Sequence, residues 1–238
     1  MLIDKYASPT RFLKLARFLI PVMSLIAAMS IATGLYLAFF ASPADYQQGE
    51  TVRIMYVHVP SAWIALSSYL GLGIAALFFL VWRHPLADIA ARAIAPVGTA
   101  FAVLTLATGS LWGRPMWGTW WVWDGRLTSM LVLLFFFIGY LALASGFERS
   151  ERGARPAAIL ALVGCINLPI VKFSVDWWNT LHQPASIMRS GGMSIDSSML
   201  WPLFTMFIGL QALFILLVLL QMQTSLLEKR LSRPQLER

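Results

Sequence analysis

Residues 117–147 read WGTWWVWDGRLTSMLVLLFFFIGYLALASGF. From 127 to 147 the run has no charged residue. Crossing about 30 Å of hydrocarbon takes roughly 20 apolar residues in a helix, so this run is long enough to span a bilayer. The eight residues that open the stretch, 117–124, are of another kind. Four of them are Trp, a fifth Trp stands just upstream at 112, and the eight end in Asp124. An indole ring favours a site with one apolar and one wet side. The cluster therefore belongs at a membrane surface, between the end of one span and the acid that opens the next.

Five further runs meet the same length test: 18–40, 61–82, 93–111, 157–175 and 199–221. The chain of 238 residues is 58% hydrophobic and only 12% charged, where a soluble domain carries about one quarter charged residues. Its mean hydropathy is +0.71. In lipid an unpaired backbone amide has no water to bond, so each span must be helical. The expected fold is all-α: a polytopic integral membrane protein with six transmembrane helices in one membrane domain, residues 1–238. The first span is too long for a signal-peptide core and is read as retained. One short echo, His58-Val59-Pro60 against His182-Gln183-Pro184, does not define a repeat. The single cysteine, Cys165, allows no disulfide and reads as a small packing residue in an apolar run.

The net charge of +7 does not mark a nucleic-acid partner, because the basic residues are dispersed between spans. Thirteen of the eighteen lie on one side: four before the first span, Arg83, Arg92, Arg149, Arg152, Arg155, and four in the tail. Arg53, Arg114, Arg126, Lys172 and Arg189 fall on the other. The positive-inside rule then puts both termini in the cytoplasm and three loops outside, at about 41–60, 112–126 and 176–198.

Trp63, Trp112, Trp117, Trp120, Trp121, Trp123, Trp177, Trp178 and Trp201 fall on or near the outer side, and only Trp82 on the inner. A plain interfacial belt predicts a balance. Trp117, Trp120 and Trp121 are spaced i, i+3, i+4, which predicts a helical turn with an aromatic shelf on one face. Asp124 and Asp196 each precede a span and suit helix caps; for Asp124 that role is compatible with organising a ligand. His84 reads as a solvated residue of an inner loop. His58 and His182 are outward, each near Trp, and Pro60 suits the first turn of the second span. Two neutral imidazoles suit the axial positions of haem iron, although 124 positions separate them. Zinc would want a third or fourth His or Cys that the outer loops lack. Arg53, Arg126 and Arg189 read either as partners for carboxylates such as haem propionates or as solvated charge. In the fifth span, Pro169 reads as a kink and Lys172 as snorkelling to the interface. No phosphate-binding loop, CxxCH motif or nucleophile motif occurs, so the chain reads as a non-enzyme with no ATPase of its own.

Two other classes compete. A b-type electron-transfer or quinone-reactive protein would hold haem between histidines inside the spans, and the apolar spans as delimited contain none. A permease for an apolar solute would place its site near mid-membrane between broken helices, whereas the aromatic signal here lies at one face.

With WGTWWVWD at 117–124 and outward histidines at 58 and 182 on six spans, the chain resembles the haem-handling membrane proteins with a tryptophan-rich motif, specifically the haem exporter protein C family (cytochrome c maturation protein C). The resemblance covers essentially the whole chain. It implies a multi-pass protein of the bacterial inner membrane that holds non-covalent, transiently bound haem b at the periplasmic surface. It implies attachment of that haem to a membrane-anchored haem chaperone for c-type cytochrome biogenesis. Implied partners are the ATPase and membrane subunits of an ABC transporter and a small single-span subunit. Carried over residue by residue, His58 and His182 are the axial ligands, and Trp117, Gly118, Trp120, Trp121, Trp123 and Asp124 belong to the haem-binding motif.

Overall fold

The apolar runs become six helical segments long and apolar enough to cross a membrane: Pro9–Ala41, Glu50–Trp82, Pro85–Trp117, Gly125–Ser145, Arg152–Trp177 and Ser197–Leu231. They are seen in a computed structural model that describes residues 8–146, 150–183, 192 and 195–231, without the side chains of 150 and 151. No strand occurs among the described residues. Of the basic residues counted above, Lys5, Arg149, Arg189, Arg233 and Arg238 lie outside the described residues, as does the chain after Gln183 in the second H-x-P echo.

Helix α1 is Pro9–Tyr36, prolonged by a π-helical turn at Leu37–Ala41. A 3-10 turn, Glu50–Ile54, leads directly into α2, Met55–Trp82, and α3 is Pro85–Trp117. The fourth span is α4, Gly125–Ser145; the fifth is built from α5, Ser150–Gly164, and α6, Asn167–Trp177; the last is α7, Ser197–Leu231. Helix α1 lies along α7; α2 packs on α3, α5 and α7; α4 packs on α3, α5 and α6. The core where these meet is aromatic and aliphatic, with Tyr56, Tyr69, Leu72, Leu133, Phe137 and Leu203 fully buried.

Four expectations change. The second helix begins well before residue 61, so the chain between the first two spans is short and His58 sits within α2, not in a loop. Glu50, Arg53 and His58 lower the apolar signal without stopping a helix. Pro60 is consequently inside α2, beyond its first turn. His84 is not simply solvated: its Nδ1 accepts the Leu86 amide at 3.2 Å and caps α3, with Pro85 at the first helical position. Finally, the fifth span breaks at Cys165–Ile166 rather than at Pro169 itself. A proline ring clashes with the carbonyl four residues earlier, here that of Cys165, which instead accepts Leu168 N–H at 3.1 Å. Across the break, Asn167 Nδ2 donates to the Ser129 carbonyl at 2.8 Å and ties α6 to α4.

Candidate functional site

One end of the bundle holds a cavity of about 700 Å³, floored by α2, α3, α4 and α6 and walled by the chain that follows α3 and α6. Ligand sites commonly fall between about 300 and 1,000 Å³. Trp63, Trp112, Trp117 and Trp121 line it, together with His58, His182, Arg126 and Lys172.

The stretch 117–124 forms no helical turn. Trp117 is the last residue of α3, and Gly118 ends the helix with φ +76°. Only glycine adopts that left-handed conformation freely. The chain then runs without regular structure through 121–124 to the cap of α4. The expected i, i+3, i+4 face is therefore replaced by a divided one. Trp117 and Trp121 face the cavity, whereas Trp120 and Trp123 do not line it and are 55% and 75% exposed. Trp121 and Trp123 meet edge to face with ring centres 5.5 Å apart. Trp121 Nε1 is buried without a hydrogen-bond partner among the described residues.

Asp124 is a cap, as its position predicts. One of its carboxylate oxygens accepts the Leu127 amide at 2.8 Å. The other accepts the Thr180 hydroxyl. Asp196 caps α7 in the same manner, accepting Ser198 N–H at 2.8 Å and its hydroxyl at 2.6 Å; these bonds hold its carboxyl below the usual carboxylate range.

The two histidines, far apart in sequence, meet in the cavity with ring centres 6.5 Å apart and planes inclined by 35°. His58 lies in the first turn of α2, 8% exposed. Its Nδ1 contacts Thr108 Oγ1 on α3 at 3.0 Å. The Thr108 hydroxyl has one proton, and that proton goes to the Leu104 carbonyl at 2.6 Å. Thr108 must therefore accept from His58 Nδ1–H, which leaves a bare lone pair on Nε2 in the neutral ring. The ring can sit this close because residue 109 is glycine: a Cβ there would lie 3.1 Å from His58 Cε1. Trp112 closes the side with an edge contact at 5.7 Å, its own Nε1 donating to Gln48 Oε1 at 2.8 Å.

His182 reaches the same tautomer by a different contact. Its Nδ1 is 3.2 Å from the Gln183 carbonyl, which can only accept, so Nδ1 carries the proton and Nε2 is bare. Trp117 packs 6.2 Å from it. Burial holds the His182 pKa below its ordinary value, and nearby Arg126 pushes it the same way. Its amide donates to Thr180 Oγ1 at 3.0 Å.

Arg126 and Lys172 bring positive charge to the cavity wall. Arg126 is steadied by donating from Nε to Ser174 Oγ at 3.1 Å. Arg53 points elsewhere, donating to the Ala38 and Ser42 carbonyls and pairing with Glu50, so it ties the start of α2 to the end of α1. Lys172, read from sequence as snorkelling, reaches the site. Thr108, Thr180 and Gly109 contact the two histidines at positions that no sequence motif marks. A threonine in an apolar helix commonly bonds back to its own turn, and nothing in the string sets Thr108 apart from that habit.

An imidazole nitrogen bonds a transition metal at about 2 Å and its ring centre lies roughly 1 Å behind, so two imidazoles on opposite sides of one metal have centres roughly 6 Å apart. The spacing seen here meets that requirement, as do the bare nitrogens, the aromatic walls and the flanking cations.

Fold and site together define a class: polytopic helical membrane proteins that present two imidazoles in a tryptophan-walled pocket at one end of the bundle. The family model described as "Heme exporter protein C" matches residues 2–237. A Bradyrhizobium diazoefficiens protein named "Heme exporter protein C" is 54% identical over 224 residues, covering 94% of this chain and 85% of its own. The Escherichia coli K12 protein of the same name is 42% identical over 232 residues, covering 98% and 94%. A ccmC-like mitochondrial protein of Marchantia polymorpha, whose name refers to cytochrome c biosynthesis, is 48% identical over 176 residues, 74% of each chain. The chain belongs to the heme exporter protein C family.

Proposed function

We propose that the chain holds haem b, non-covalently and transiently, between His58 and His182 at the periplasmic face of the bacterial inner membrane. From there it promotes attachment of the haem to a membrane-anchored chaperone that supplies c-type cytochrome assembly. The observation that carries this reading is the pair of imidazoles in one cavity, ring centres 6.5 Å apart between tryptophan walls, each with Nδ1 engaged and Nε2 bare. Trp117 and Trp121 contact the apolar ring. Arg126 and Lys172 are the cations available to propionates. Gly118 turns the chain so that Trp120 and Trp123 stay exposed beside the cavity, where an incoming chaperone would meet them. Asp124 closes the motif by capping α4.

The fuller assembly follows the family. It comprises an ABC transporter with ATPase and membrane subunits and a small single-span subunit, and it acts on haem that this chain presents. The presence of His58 in a helix removes one objection to a b-type electron-transfer site. The other ligand, however, lies on irregular chain beside exposed tryptophans, a design that suits loading and release.

The test is spectral. The purified protein should carry haem with a Soret band characteristic of two nitrogen ligands. His58→Ala and His182→Ala should each shift that band and lower haem content. Unchanged haem content and an unchanged band in both variants would remove the proposal. A quinol-driven redox titration with fast turnover would favour electron transfer instead.

A further inference from the structure

The motif's acid has a second connection that capping does not explain, and it leads to His182. Asp124 is 7% exposed. One oxygen holds the Leu127 amide at the start of α4. The other takes the single proton of the Thr180 hydroxyl. Thr180 Oγ1 is then left with lone pairs only, and one of these accepts the His182 amide at 3.0 Å. The carboxylate thus bridges a rigid helix start to the backbone of a histidine, through one hydroxyl. A carboxylate at a helix N-terminus is well placed for this role, because the helix end and the amide both favour its charge.

The two histidines are held very differently. His58 has its backbone in α2, its ring against Gly109 and its Nδ1 on Thr108. His182 lies beyond the end of α6 at Trp177, in chain without helix or strand. Among the described residues, its backbone is joined to the bundle through Thr180, which accepts the His182 amide and donates its hydroxyl to Asp124 at the start of α4.

We propose that Asp124 and Thr180 form a latch that positions His182, so that His182 is the exchangeable side of the pocket and His58 the fixed side. Asp124 acts here as a positioning residue, through Thr180, not as a group that touches the ligand. The inference rests on the haem reading for its consequence, but the latch itself is a property of the protein alone.

Thr180→Val is the test, because it keeps the side chain's shape and removes only the hydroxyl. Thr180→Ser restores the hydroxyl and is the control. Amide exchange over residues 178–183 is read first, on protein purified without haem. Thr180→Val should speed exchange there by about tenfold, the factor that goes with one hydrogen bond, and Thr180→Ser should not. On haem-loaded protein, Thr180→Val should bind added cyanide about tenfold faster and show a partly high-spin spectrum, with haem retained through His58. Exchange that Thr180→Val leaves unchanged overturns the latch. Faster exchange with wild-type cyanide kinetics overturns the exchangeable role of His182. If His58→Ala and His182→Ala both leave the haem spectrum untouched, the haem reading fails, and the amide-exchange result still decides the latch by itself.

Discussion

At the scale of the residue, one proton decides what His58 can do. Thr108 gives its hydroxyl hydrogen to Leu104 and so accepts from the imidazole, which leaves the Nε2 lone pair free on a ring that lines the cavity. Partners of this kind fix ring orientation and raise ligand basicity, and losing one typically lowers metal affinity by about 10- to 100-fold. Thr108→Val should therefore weaken haem binding by about tenfold in a haem titration, and Thr108→Ser should bind as wild type; equal affinity for Val and wild type would contradict the assignment. His182 makes a separate prediction. Its pKa in the fold lies below the ordinary 6.5 because burial, then Arg126, disfavour the cation. The unfolded chain thus takes up the proton first. Stability contributed by the neutral ring is complete above about 6.5 and is lost as pH falls from there through the lower folded value. Imidazole NMR of haem-free protein should show His182 titrating below 6.5, and a midpoint above that value would reverse the sign. Neither threonine nor the meeting of the two rings was legible in the sequence. Hydrogen-bond direction and spatial pairing across 124 positions leave no local pattern.

At the scale of the element, apolar length was readable and local termination was not. Six runs without water-seeking backbone must be helices, and six helical spans result. The start of α2 escapes a hydropathy reading because hydropathy reports where lipid begins, whereas a helix continues until something ends it. The tryptophan stretch misleads for the complementary reason. Its i, i+3, i+4 spacing fits a helix, but Gly118 stops α3 and sends the chain on unwound. The aromatic cluster and its place between two spans were visible; which indoles face inward was not. Gly118 therefore carries a stability consequence. With φ +76° and open space where a Cβ would stand, the cost of a side chain there is backbone strain alone. Gly118→Ala should cost about 1–2 kcal/mol and lower the thermal midpoint by roughly 2–8 °C. Gly118→Asn should cost less, since Asn visits this conformation more readily. Melting curves of the two variants in detergent check the order, and an Ala variant as stable as wild type would show that the turn is not what holds the stretch open.

At the scale of the whole molecule, the question is which side of the membrane the cavity faces. The basic residues give the direction. Arg83 and Arg92 lie at the end of the bundle away from the tryptophan-lined cavity, and Lys229 and Arg230 fall in the last turn of α7. Positive charge of this kind is retained in the cytoplasm, so the two-histidine cavity should open to the periplasm. The chain is suited to a direct test because Cys165 is its single cysteine, half-buried between spans. After Cys165→Ser, new cysteines can be placed at either end without competing thiols. Trp123→Cys, at a position 75% exposed beside the cavity, should react with a membrane-impermeant maleimide in intact spheroplasts. Arg83→Cys, exposed at the α2–α3 turn, should react only after the membrane is opened. Added haem should slow labelling at position 123 without affecting position 83, because only the first lies beside the pocket. The reverse pattern of accessibility would turn the protein over, and would place haem loading on the cytoplasmic side with the same residues and the same geometry.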